Sequence, residues 1–112
     1  MYIKTKSVVI KSTKFEEGFA LAHKIVNLLK SEGLDIHLTS TLFSRTRELN
    51  FVATHPTLEG MFEEVNKLKA HAELDKLRDQ MNEYVVEGSQ QTKITVMGDP
   101  SHQYVEEYLT LL

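Results

Sequence analysis

The chain has 112 residues, no cysteine and a formal net charge of −3. That length suits one domain over residues 1–112, able to bury about 65% of its unfolded surface. The missing thiols exclude disulfides, cysteine nucleophiles and cysteine metal sites, and the acidic balance argues against a nucleic-acid groove or an anionic membrane surface.

The opening MYIKTKSVVIKSTK has no unbroken apolar segment of the kind a signal peptide carries. No apolar run in the sequence approaches the roughly 18 residues that span a bilayer. The expectation is a cytoplasmic protein without a membrane partner. Residues 2–11, YIKTKSVVIK, read as a strand. Thr13 and Glu16 have capping-box spacing, so a helix is expected from there to about Glu32, closed by Gly33. Phe15, Phe19, Ala22, Val26 and Leu29 recur at helical spacing and form its buried stripe, which leaves His23 on the solvated side.

The stretch DIHLTSTLFSRTRELNFVATHP reads as two strands, about 35–43 and 47–55, around a polar turn. Pro56 ends the second strand, because the residue before proline avoids the helical region. Thr57 suits an N-cap for a helix starting at Leu58. Beyond it lie two apolar stripes. Leu58, Met61, Val65, Leu68 and Ala72 share one helical face, and Leu74, Leu77, Met81, Tyr84 and Val85 share another roughly 180° away. One straight helix cannot bury both in one core. Either it breaks near Lys69–Glu73, or its second half faces another subunit. Gly88 and Ser89 end the helical region, and residues 92–97, TKITVM, read as a last strand. Gly98-Asp99-Pro100 then turns the chain into an amphipathic tail helix carrying Tyr104, Val105, Tyr108, Leu109 and Leu112.

The order β-α-β-β-α-β defines the α+β, ferredoxin-like split βαβ: one antiparallel sheet, both helices on one face, and here a C-terminal helix added. Alternation assigns Val8, Ile10, Ile36, Leu38, Leu42, Leu49, Phe51, Ile94 and Val96 to the helix side. The other face receives Thr5, Ser7, Val9, His37, Thr39, Thr41, Phe43, Asn50, Val52, Thr54, Thr95 and Met97. It is hydroxylic and partly apolar, a composition suited to half-burial. The assignment requires an even hairpin loop or a bulge; an odd loop would move Leu49 and Phe51 to the face of His37 and send Asn50 to the helices.

The element order, the greasy and hydroxylic split of residues 36–43 and the break near His71 resemble the dimeric α/β-barrel superfamily over about residues 1–98. The resemblance implies a homodimer, packed through the helix-free sheet face, with a ligand pocket beside that face. The group includes cofactor-independent monooxygenases of the antibiotic-biosynthesis type, isomerases and haem-degrading enzymes. The haem-degrading pattern pairs a helical histidine with a first-strand asparagine and a tryptophan. This chain offers His71, but Thr5 and Ser7 stand on the first strand and no tryptophan is present. No cofactor is therefore expected.

His37 is the leading candidate for a base, proton relay or substrate hydrogen-bonder, against the plainer reading of an imidazole bonded to a neighbouring threonine or dimer mate. Thr39, Asn50 and His71 complete the candidate ligand-binding set. His55 stands at a helix entrance that could meet an anion, though a turn role is the commoner one. Arg45 and Arg47 in the turn are candidates to clamp a carboxylate, against the commoner reading of a solvated turn. No histidine pair has metal-ligand spacing, and no metal site is expected. Two functions follow: a homodimeric small-molecule-binding protein with monooxygenase or isomerase activity, or a non-catalytic dimeric interaction or metabolite-sensing module. An RNA-recognition domain shares the strand order but needs exposed sheet aromatics amid basic charge, which this acidic chain does not supply.

Overall fold

A computed structural model describes residues 1–41 and 47–96. The elements in chain order are β1 (Tyr2–Ile10), α1 (Phe15–Ser31), β2 (Asp35–Ser40), β3 (Arg47–His55), α2 (Leu58–Lys69), α3 (Ala72–Asn82) and β4 (Gln91–Val96). The sheet order is β2-β3-β1-β4, with every neighbouring pair antiparallel. This is the ferredoxin-like arrangement, an α+β fold. Leu42, Phe43, Arg45 and Met97, and the expected tail helix from Tyr104 to Leu112, lie outside the described residues.

The hairpin has the even register. Ile36 pairs with Ala53, His37 with Val52, Leu38 with Phe51 and Thr39 with Asn50. Directly opposed residues share a face, so Leu38 and Phe51 point to the helices while His37, Thr39 and Asn50 point away. Val8, Ile10, Ile36, Leu49 and Ala53 are buried under the helices, where they meet Leu21, Ala22, Ile25, Val26 and Leu29 of α1. His23 is exposed, with its ring edge-on to Phe19.

Two helix ends differ from the expectation. Thr13 does not cap α1. Ser12–Lys14 forms a 3-10 turn, Lys14 N–H donates to Lys11 O at 2.9 Å, and α1 begins at Phe15 without a side-chain cap. The tighter turn uses up the residues that the capping box would have needed. Nor does the last helix run to Val85. It stops at Asn82, and the following segment turns extended beside the end of β1. There Val86 N–H donates to Val9 O and Lys11 N–H to Tyr84 O, each at 2.8 Å. Gly33 closes α1 as expected, with φ of 91°. Gly33 N–H reaches Lys30 O at 3.0 Å and Leu34 N–H reaches Leu29 O at 3.1 Å, the paired bonds of a Schellman end.

The two opposed apolar stripes are resolved by a break. α2 ends at Lys69 and α3 restarts at Ala72, so Met61 and Leu68 of one and Leu74 and Met81 of the other are all buried. Thr57 caps α2, its hydroxyl accepting from Gly60 N–H at 3.0 Å. Among the described residues no helix is long and apolar enough to cross a membrane.

Candidate functional site

Alternation along β1 decides what lies beneath the helices. Val8 and Ile10 are buried there, so Lys6 and Lys4, two and four residues back from Val8, face the same way. The register agrees: Lys4 is opposed by Ala53 and Ile94, and Lys6 by Phe51 and Thr92. Two half-buried lysines therefore stand on a central strand of the sheet, on its covered side.

They line a cavity of about 490 Å³ between the sheet and α1, α2 and α3. One wall is apolar, with Ile25 and Leu29 of α1, Leu34, Ile36 of β2, Phe51 of β3 and Leu68 of α2. The other wall is cationic, with Lys4 and Lys6 of β1 joined by Arg78 from α3. Burial, then the nearby Arg78 guanidinium, holds the Lys4 ammonium below the usual lysine range. The Lys6 ammonium is lowered by burial first, then by Arg78 and Lys4. No acidic group offsets either shift. Among the described residues, none of the ion pairs closer than 4.0 Å involves Lys4, Lys6 or Arg78. Glu64, the carboxylate on the cavity wall, is instead 3.0 Å from His55 Nδ1. That contact is close but not directed as a hydrogen bond, and the Glu64 Oε2 atom is buried. His55 is thus a buried side chain at the end of β3, rather than a turn residue meeting an anion.

The candidate residues read from sequence fall elsewhere. His37, Thr39 and Asn50 stand on the helix-free side of the sheet and contribute nothing to this cavity. His37 Nε2 is 3.2 Å from Asp35 Oδ1, both side chains being about two-thirds exposed at 63% and 67%. Asp35 also accepts from the Thr54 hydroxyl. That hydrogen bond, then the neighbouring His37, holds the Asp35 carboxyl below its usual range despite an opposing contribution from burial. Asn50 Oδ1 accepts from the Ser7 hydroxyl at 2.6 Å, and its amide reaches Thr41 Oγ1 at 3.4 Å. The face is less neutral than the composition of 37–41 suggests, since Asp35, Glu48 and Lys93 share it.

His71 lies on the helix side, at the α2–α3 break. Its Nδ1 accepts from Leu74 N–H at 3.2 Å, and its Nε2 lies 3.1 Å from Glu32 Oε1. The acceptor role of Nδ1 places the proton on Nε2, facing the carboxylate. His71 therefore caps the free amides of α3 and ties the break to the end of α1. Arg47 opens β3 with its guanidinium 4.8 Å from the centre of the Phe15 ring. It packs as a cation on an aromatic face rather than reaching from a turn. Among the described residues no three His, Asp or Glu side chains gather as a metal site would require.

No protein-family model and no curated protein matches the sequence. Solved structures do match. An uncharacterised NIPSNAP domain protein from Burkholderia xenovorans superposes with a TM-score of 0.76 at 10% identity, over 92% of this chain and all of that one. A NIPSNAP family protein from Agrobacterium tumefaciens gives 0.73 at 14% identity, over 91% of this chain and 97% of that one. An antibiotic biosynthesis monooxygenase gives 0.67 at 12% identity, over 88% of this chain and all of that one. The chain shares the ferredoxin-like fold of these NIPSNAP and antibiotic biosynthesis monooxygenase structures. At such identities the likeness is one of fold, and the chemistry rests on this chain's own residues.

Sequence reasoning missed Lys4, Lys6 and Arg78. The signal for the lysines was present, because they share parity with Val8 and Ile10 in a strand already read as alternating. Arg78 carried no such signal. Its approach to β1 depends on where α3 lands after the break.

Proposed function

We propose that this protein binds a small organic molecule in the cavity between its sheet and helices, and works as a pair of subunits joined through the helix-free face. The cavity carries the reading. Its volume of about 490 Å³ falls within the roughly 300–1,000 Å³ typical of ligand sites, and a mainly apolar wall faces a few convergent polar groups. Such a wall limits access of water, and lowering the pKa of a lysine raises the fraction of it that is neutral, and so able to take a proton, near neutral pH. That combination suits an isomerase-type proton shift next to a carbonyl, a reaction that needs a base and no cofactor. His37, Thr39 and Asn50 then belong to the subunit-facing surface, where their hydrogen-bonding groups meet the second sheet.

Native mass spectrometry of protein purified from its own host, beside Val65→Trp, tests the reading. Val65 is half-buried on the cavity wall, and a tryptophan there fills the space. The unmodified protein is expected to carry a small-molecule adduct that the variant loses while its circular dichroism is unchanged. An adduct retained by the folded variant would place the ligand elsewhere.

A further inference from the structure

The geometry points to an organic anion as the ligand of the cavity, an acidic head group held by Lys4, Lys6 and Arg78 with an apolar body against Ile25, Leu29, Leu34, Ile36 and Phe51. This rests on reading the cavity as a ligand site, and adds the ligand's charge class and orientation to it.

The argument begins with placement. In the sheet order β2-β3-β1-β4, the cavity positions on β2 and β3 are apolar, and β1 supplies Lys4 and Lys6 beside the apolar Val8. Among the helices, α1 supplies only the apolar Ile25 and Leu29, α3 supplies Arg78 with Met81, and α2 supplies Leu68 with Glu64 and Lys69. Lys4, Lys6 and Arg78 lie close enough to perturb one another, so they form one charged region in a largely apolar lining, and a ligand with a charged end and a greasy end has a preferred way round.

Charge balance comes next. Four basic residues line the cavity, Lys4, Lys6, Lys69 and Arg78, and none has a carboxylate in ion-pair contact among the described residues. Like charges brought together under a low-dielectric cover repel, and each loses hydration. Lysines on a sheet usually extend along apolar surface until the ammonium reaches open water. Here β1 is an inner strand flanked by β3 and β4, and Lys4 and Lys6 are half-buried on the side of it that carries the helices. A bound acid supplies the missing counter-charge. Glu64 does not, because its buried oxygen is turned to His55.

The recognition chemistry follows from the side-chain types. Arg78 presents a planar fork that matches a carboxylate or another oxyanion in two parallel bonds, and the lysines act as adjustable point charges. Phosphate monoesters and sulfonates share the oxyanion chemistry. The size and greasiness of the opposite wall favour a carboxylic acid with an apolar body of about eight to twelve carbons over a bare inorganic anion.

The test uses three acids, 2-naphthoate, 4-phenylbutyrate and octanoate, each beside its own primary amide, titrated calorimetrically into the intact protein, Lys6→Met and Arg78→Met. Each amide keeps the size and apolar body of its acid and removes the charge. The acids are expected to bind the unmodified protein about tenfold more tightly than their amides, with affinity falling as salt is added. In the two variants the difference is expected to shrink to about twofold or less while amide binding is retained. Acids and amides binding alike to the unmodified protein would overturn the anion inference and leave the ligand site standing. Binding of none of the six, by a protein whose circular dichroism shows it folded, would overturn both. Inorganic phosphate is the fourth probe. If it competes with the acids, the cations are the shared head-group site; if it leaves acid binding unchanged at high concentration, the assignment of those residues fails.

Discussion

Lys6 illustrates how a side chain can be unfavourable for folding and useful to a site. Its ammonium sits in a partly desolvated place beside Lys4 and Arg78, so the folded state holds its proton less firmly than the unfolded chain does. Between the lowered pKa and the ordinary lysine value, the unfolded state binds more protons, and stability therefore rises with pH through that interval. Below the interval the cost of the buried charge is present in full; above it the cost is gone. Lys6→Met removes the charge and keeps much of the side-chain length. The variant is expected to melt at a higher temperature than the unmodified protein at pH 7, with the gap narrowing at pH 10 and above. Melting curves for both across that range check it, and a gap that widens with pH would contradict the desolvated placement. A gain in stability from losing a functional group is the usual signature of a site built against local preference.

At the scale of elements, the decisive feature is the break between α2 and α3. Its cause is the phase shift between two apolar stripes, and its fastening is His71. Without that cap, the first amides of α3 lose an acceptor, and Leu74, fully buried, is less firmly placed over the core. The same break brings Arg78 to the cavity. His71→Ala is expected to lower stability by about 1–2 kcal/mol, losing both the cap and the contact with Glu32. His71→Asn keeps a side-chain acceptor and is expected to recover about half of that, since asparagine caps helices well. Urea unfolding of the three proteins measures the order. If the asparagine variant is no better than alanine, the Glu32 contact rather than the cap holds the joint.

At the scale of the whole molecule, the sheet has one face under helices and one without. Ile3, Val9 and Val52 stand half-exposed on the second, among Thr5, Ser7, Asn50 and Thr54. In the proposed pair, a second copy packed over that face would cover this apolar surface and leave the hydroxyls within reach of new hydrogen bonds. Val52 lies near its middle, between Thr5 on β1 and His37 on β2. Val52→Glu would bury a carboxylate opposite the partner's sheet, and the protein is expected to change from dimer to monomer in sedimentation velocity with its circular dichroism intact. An unmodified protein that sediments as a monomer would remove the paired arrangement from the reading.

The alternation of residues 36–40 and 47–53, the capped start at Thr57 and the glycine close at Gly33 determined the elements and their order, while which faces of the two hairpin strands coincide rested on an even loop that the register then showed. Each is a local consequence of backbone period, cap chemistry or glycine's freedom at positive φ. The α2–α3 break was legible too, as one of two ways to reconcile opposed stripes; only the fold decided between them, because a shared core lies under both helices. The failures are of a different kind. Thr13 has the right spacing for a cap, yet whether a 3-10 turn intervenes depends on how the chain leaves β1. His37 stands on the helix-free face as read, but the cavity between sheet and helices lies on the other side and had not been foreseen. Lys4 and Lys6 were missed although they share the parity of Val8 and Ile10, and their meeting with Arg78, and the missing counter-charge, exist only once α3 is laid across the sheet. Periodicity determines the direction a side chain points. Distance, enclosure and the balance of charge depend on residues far apart in the chain, and those only the packed structure brings together.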